Sequence, residues 1–192
     1  MNILFFDTET TGLPLWKEPS DHPDQPHIVD LAVELWSNGE MADSFDAIVN
    51  PGVPIPDEIA EIHGITTERA IAEGIAKADS VNRFHAFVRQ ADLIVGHNVS
   101  FDIRMMRIET ARVTGDKWEN MLPTFCTMRK TTNVCKIMSA KPRHPQDWKW
   151  PRLGEAIQIM FDEEFEDAHR AAPDCAATRR IYFELQQRQL AA

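Results

Sequence analysis

The chain opens with Asn2 to Phe6, a continuous apolar run of the kind that fills a central strand, and two carboxylates, Asp7 and Glu9, follow at once. Ile28 to Trp36 alternates with the two-residue period of a half-buried strand. Ser37-Asn38-Gly39-Glu40 then reads as a hairpin turn into a partner strand over Ser44 to Val49. After "NPGVPIP" breaks the chain, Asp57 starts a short helix that stops at Gly64, and Thr66-Thr67-Glu68 opens a second. Val81, Phe84, Phe87 and Val88 recur with a helical period over 81–91, Leu93 to Val95 is a short buried strand, and helical spacing resumes over Phe101 to Val113. A strand is predicted near Thr124 to Met128, an amphipathic helix over Leu153 to Phe161, and a final helix from Pro173 with Ala177, Ile181 and Leu185 as its buried stripe.

Strands and helices thus alternate around one early hairpin. That pattern predicts an α/β domain with a mixed sheet. With 192 residues and no internal repeat or low-complexity tract, the chain is expected to form a single domain. Leu15 to His27, rich in Pro, Asp and His, is expected to be a long loop.

Composition changes this picture little: 43% hydrophobic and 26% charged residues are ordinary for a globular protein. No apolar run is long enough to span a bilayer, and the N-terminus lacks a basic leader. The expectation is therefore a cytoplasmic protein without a membrane segment. Cys126, Cys135 and Cys175 are too few and too irregularly spaced for a disulfide framework or a CxxC zinc site, and are expected to be plain thiols.

Charge is more informative in its distribution than in its total of −10. Arg129 to Arg152 carries seven basic residues and one acid, Asp147; this segment is +6 and the remainder −16. Such a stretch can hold a phosphate backbone or be a solvated loop. Trp148 and Trp150 within it can stack on bases or cover the core.

Candidate chemistry begins with Asp7 and Glu9. Residues i and i+2 of an extended chain point to the same side, so both carboxylates can converge on one ion just past the end of the first strand. Alone, D-x-E is a weak signal. "VGHNVSFDIRMM" adds Asp102 after a buried strand, and "EDAHRAAPDCAATRR" adds His169 in a loop and Asp174 in the first turn of the last helix. Four carboxylates form a hard, oxygen-rich ligand set suited to Mg²⁺ or Mn²⁺. Two such ions can clamp an in-line phosphoryl displacement, and a histidine can take the proton of the attacking water. These residues point to metal-assisted phosphodiester hydrolysis.

In order, "FDTETTG", "HNVSFD" and "HRAAPD" resemble the three motifs of the DEDDh branch of the DnaQ-like 3′→5′ exonucleases, a group that includes the exodeoxyribonuclease X and DNA polymerase III epsilon-like proteins. His169 and Asp174 keep the H-x4-D spacing of that branch. The sister branch, with Y-x3-D, is excluded: Tyr182 is the only tyrosine, and Gln186 follows it. "NPGVPIPDEIAEIHGIT" resembles the family's segment between the first and second motifs.

This resemblance, from Ile3 to about Leu185, implies a ribonuclease H-like fold, a mixed five-stranded sheet flanked by helices. It implies two Mg²⁺, replaceable by Mn²⁺, with Asp7 bridging them, Glu9 and Asp174 completing one shell and Asp102 holding the other ion largely through water. It implies His169 as general base. Thr10, Leu13, His63, Asn98 and Phe101 match positions that contact the terminal nucleotides, Leu13 as an apolar wedge. The implied substrate is the 3′ end of single-stranded nucleic acid, DNA favoured over RNA, with a polymerase or replication partner possible. An RNA-trimming enzyme and a non-catalytic nucleic-acid-binding or polymerase-accessory module are the alternatives.

Overall fold

In the computed structural model, which describes residues 1–165 and 169–188, the apolar opening becomes the middle of the sheet. Strand β1 (Asn2–Thr10) alternates between two cores. Leu4 and Phe6 pack with Phe84, Met105, Met106 and Ile108 on one face. Ile3 and Phe5 pack with Ala156, Ile157, Ile181 and Leu185 on the other. A strand buried on both faces needs apolar residues at every position, which is why the run is continuous rather than alternating.

The five strands lie in the order β3-β2-β1-β4-β5. β2 (Ile28–Ser37) and β3 (Glu40–Ile48) form the antiparallel half with β1; β4 (Leu93–Gly96) and β5 (Thr124–Cys126) extend the sheet in parallel from the other side of β1. Asn38 and Gly39 both take positive φ, 54° and 87°, the backbone a tight hairpin turn requires. Helices α3 (Lys77–Val88) and α4 (Val99–Thr114) cover one face; α6 (Leu153–Phe161) and α7 (Ala171–Gln187) cover the other. Between β3 and α3, α1 (Asp57–His63) and α2 (Thr67–Glu73) enclose a small third core with Val29, Ile48 and Ile65. Gly64 ends α1 in the left-handed conformation at φ 71°, and Thr66 caps α2 by accepting from Arg69 N–H at 3.2 Å. The three thiols are free, and among the described residues no helix is long and apolar enough to cross a membrane.

Several boundaries differ from the sequence expectation: α3 spans Lys77–Val88 rather than 81–91, α4 starts at Val99 rather than Phe101, and four more differ as follows. β1 continues to Thr10, so Asp7 and Glu9 lie within the strand rather than past its end. Its antiparallel ladder with β2 runs on through Asp7–Ala32 and Glu9–Asp30, whereas pairing with β4 stops at Phe5–Val95. β3 starts at Glu40, directly after the turn, because the ladder with β2 begins there. β5 ends at Cys126, and Thr127 opens α5 (Thr127–Cys135), its fully buried hydroxyl 2.9 Å from His97 Nδ1. α7 starts at Ala171, two residues before Pro173, which still falls in its first turn.

The Leu15 to His27 segment is irregular, as expected, but it is tied down. Gln25, 2% exposed, accepts from Leu15 N–H and donates to Leu15 and Pro19 carbonyls. From α4, Arg104 donates to Ser20 Oγ and Glu18 O, and Arg112 donates to Gln25 O.

Candidate active site

Because β4 stops pairing at Val95 while β1 continues, the backbone of β1 beyond Phe5 faces an open edge. Asp102, in the first turn of α4, fills it: one carboxylate oxygen accepts Thr8 N–H at 3.1 Å and Thr8 Oγ1–H at 2.8 Å. Asp102 is 3% exposed, so these two donors hold it rigidly beside β1. Asp7 and Glu9 continue the Phe5 side of the strand and therefore face α7. There, ligand atoms of Glu9, His169 and Asp174 lie within 4.8 Å of one another. His169 reaches this position with φ 70°, a left-handed backbone that costs energy in a non-glycine residue.

The electrostatics of this convergence are one-sided. Burial pushes the Asp7 carboxyl well above the usual carboxylate range, and the charges of Asp102, Asp174 and Glu9 add to it. Glu9 is raised to about 8 by burial and then by Asp174 and Asp102. Asp102 rises to about 7 through burial, although its Thr8 donors oppose the shift. Asp174 rises to about 7, also through burial, opposed by a backbone hydrogen bond at His169. Asp174 Oδ1 is buried without a hydrogen-bond partner among the described residues. Four clustered carboxylates, an orphaned oxygen and an adjacent imidazole fit a divalent cation, since paired positive charge is what makes such a cluster tolerable.

The expected substrate-side residues are placed as follows. Thr10 is buried, with its hydroxyl donating to Gly12 O at 2.7 Å. Leu13, three residues on, is 80% exposed and belongs to none of the cores. His63, at the end of α1, is buried; its Nδ1 accepts from Ile65 N–H at 3.1 Å, and its Nε2 is unpartnered among the described residues. Burial lowers its pKa, and the charges acting on it include Asp30, Arg170 and His169, so it borders the acid cluster. Asn98, at φ 73°, precedes α4 and accepts a hydrogen bond from Ser100 Oγ. Phe101 is half-buried against the first core, one residue before Asp102.

Two supporting residues were not foreseen. Asp30, 0% exposed on β2, accepts from Arg170 Nε at 2.8 Å and Ala171 N–H at 3.2 Å. Thr8 orients Asp102 as described. The signal for Asp30 was present: it is a charge inside the apolar run "IVDLAV". For Thr8 there was none, since a threonine between two acids is unremarkable in a strand.

The basic Arg129 to Arg152 segment divides. Lys149 pairs with Glu155, and Arg143 lies 3.8 Å from Asp147. Trp148 is half-buried and bridges to Met138; Trp150 is 59% exposed, with the Arg129 guanidinium 5.7 Å from its ring centre.

With the geometry in place, comparison with known proteins is decisive about ancestry. The profile of the RNase_T exonuclease family matches residues 4–182. The DNA polymerase III subunit epsilon-like protein of Rhodobacter capsulatus is 33% identical over 187 residues, 96% of this chain and 24% of its own length. The PolC-type DNA polymerase III of Halalkalibacterium halodurans is 36% identical over 184 residues, which span 11% of that protein. The Aquifex aeolicus DNA polymerase III subunit epsilon is 26% identical over 183 residues, 95% of this chain and 79% of that one. This chain therefore spans a quarter or less of two of these relatives and most of the third. In structure, E. coli exonuclease I in a zinc-bound complex with single-stranded DNA superposes with a TM-score of 0.73 at 20% identity, over 98% of this chain and 41% of that one. That likeness establishes the shared fold, a ribonuclease H-like sheet, and the sequence match establishes kinship: the chain belongs to the RNase_T exonuclease family, that of the DnaQ-like 3′→5′ exonucleases.

Proposed function

We propose that this protein is a DEDDh-type exonuclease that hydrolyses the last phosphodiester at the 3′ end of single-stranded DNA and releases nucleoside monophosphates. The observation that carries the reading is the convergence of Glu9, His169 and Asp174 within 4.8 Å, beside Asp7 and an Asp102 locked to the same strand. The 192 residues then act as one exonuclease domain.

Asp7, Glu9, Asp102 and Asp174 would hold two Mg²⁺ ions, with Mn²⁺ able to substitute. When bound, the ions neutralise charge on the phosphate and acidify a bound water. β1 holds Asp7 and Glu9 in ladder register, so little reorganisation is needed as charge develops. His169 presents its ring at the cluster's exposed side, where it takes the proton of the attacking water. Thr10, Leu13, His63, Asn98 and Phe101 would position the terminal nucleotides, with Leu13, which is exposed, as the apolar wedge. Single-stranded DNA is favoured by the fold shared with a single-strand-bound exonuclease I, and a polymerase partner by the naming of two relatives as polymerase III epsilon proteins.

The test uses 5′-labelled DNA and RNA strands of one sequence with Mg²⁺, Mn²⁺ or EDTA, beside Asp7→Ala and His169→Ala proteins. A metal-dependent ladder shortening from the 3′ end, absent in both variants, is expected, with DNA degraded faster. Binding without cleavage under either metal would overturn the hydrolase reading in favour of a binding module.

A further inference from the structure

A groove of about 630 Å³ lies on the β5 side of the sheet, between α4, β5, α5 and the irregular segment that contains Trp16. Its walls carry Arg104, Arg107, Arg129 and Lys130, and no carboxylate among the described residues. In a chain of net charge −10, such a concentration of cations is a feature to explain. Arg107 is paired with Glu119 at 2.8 Å, and Arg104 is spent on the loop backbone, but the Nε of each is buried without a partner among the described residues. Arg129 and Lys130 are exposed and make no ion pair among the described residues. Trp16, 58% exposed, supplies a flat apolar face in the same groove.

Position links this groove to the acid cluster. β1, β4 and β5 run parallel, so their carboxyl ends point the same way. Val99, on the groove wall, lies three residues before Asp102 on the same face of α4, about 4.5 Å along its axis. A second groove of about 490 Å³ shares Arg129 and Lys130 and continues to Lys136 along α5, again without a carboxylate among the described residues. One phosphate does not need a track of this length; a polyanion does.

We infer that this groove holds the backbone of the single strand on the 5′ side of the nucleotides at the acid cluster, with Arg129 and Lys130 on phosphates and Trp16 stacked on a base. The inference rests on the exonuclease reading for the direction of the strand. Cations interleaved with an exposed aromatic are the arrangement that grips single strands without reading their sequence.

The experiment measures binding of a long labelled oligothymidylate by fluorescence anisotropy over a salt series in EDTA. It also follows hydrolysis of the p-nitrophenyl ester of thymidine 5′-monophosphate, which is too small to reach the groove. The Arg129→Gln/Lys130→Gln protein should bind the oligonucleotide about tenfold more weakly, with the slope of log affinity against log salt reduced by about 1.4, or 0.7 for each lost phosphate contact. Trp16→Ala should weaken binding about fivefold with the slope unchanged, because stacking is uncharged. Both should cleave the small ester at the wild-type rate. Arg83→Gln serves as the control: Arg83 lies over Phe45 by β3, at the opposite edge of the sheet. An unchanged slope in the double variant, or an equal drop in the control, would overturn the groove. Failure of the wild type to cleave either the ester or the oligonucleotide would instead overturn the exonuclease reading, while the anisotropy still decides whether the groove binds a strand.

Discussion

Arg170 and Asp30, 140 residues apart in sequence, meet at 2.8 Å, and Asp30 stands directly opposite Glu9 in the β1–β2 ladder. Like charges facing each other across an antiparallel pair are destabilising, and here one of the two is fully buried. Arg170 neutralises Asp30, and the same contact anchors the residue that follows His169. The ion pair therefore both relieves the strand and sets the start of α7.

Removing one partner should expose that double role. Asp30 left buried without Arg170 is an uncompensated charge, so Arg170→Ala should lower stability by about 3 kcal/mol. Urea unfolding checks this. Because His169 loses its neighbouring anchor, kcat should fall as well, with metal affinity less affected than in Asp174→Ala. A stability loss under about 1 kcal/mol would mean that Asp30 is neutralised by another route.

The acid cluster makes the metal-free protein pH-sensitive in an unusual sense. Glu9, Asp102 and Asp174 have folded-state values of about 8, 7 and 7, above the ordinary carboxylate range expected when unfolded. A raised acid contributes stability that is complete below its unfolded pKa and is lost as pH rises through the folded value. Without metal, Tm should thus fall between pH 5 and about 8. Mg²⁺ should raise Tm more at pH 8 than at pH 5, and Asp7→Asn should flatten the metal-free profile. A metal-free Tm that is level over this range would contradict the clustering of charge.

Thr8 tests how far a neighbour tunes a ligand. Its hydroxyl and N–H both donate to one oxygen of Asp102, and both lower that carboxyl's pKa against the effect of burial. Thr8→Val keeps the shape and the backbone donor but removes the hydroxyl. Hydrogen bonds to charged groups contribute about 1.5–3 kcal/mol, so metal affinity at neutral pH should drop about tenfold or more. The rising limb of the pH–rate profile should move to higher pH, and raising the pH should recover part of the loss. Calorimetric metal titrations at two pH values decide it.

His169 has two possible employments, since its ring stands within 4.8 Å of ligand atoms on Glu9 and Asp174. As a general base its removal should cost about 10²–10⁴ in kcat while leaving metal affinity intact. As a ligand, its removal should weaken metal binding in step with the rate. The base role predicts the first pattern in His169→Ala, read by single-turnover kinetics beside a metal titration.

Local pattern determined a great deal about this protein. The helix over Leu153 to Phe161 was legible to the residue, because its apolar stripe and its ends depend on neighbours three and four positions away. The Asn38-Gly39 turn was equally local, and so were the acids and histidine, whose types and order bring their chemistry with them. Tertiary structure decided the rest. That β1 runs through Asp7 and Glu9 depends on β2 continuing beside it after β4 has stopped, a matter of register between segments far apart in sequence. The Thr8–Asp102 and Arg170–Asp30 contacts span 94 and 140 residues and follow no periodicity. The basic groove likewise draws Trp16, two arginines of α4 and two cations of α5 from three separated stretches, only one of which is visibly basic. Periodicity records which side chains avoid water; which of them meet is set by the order and register of the strands that carry them.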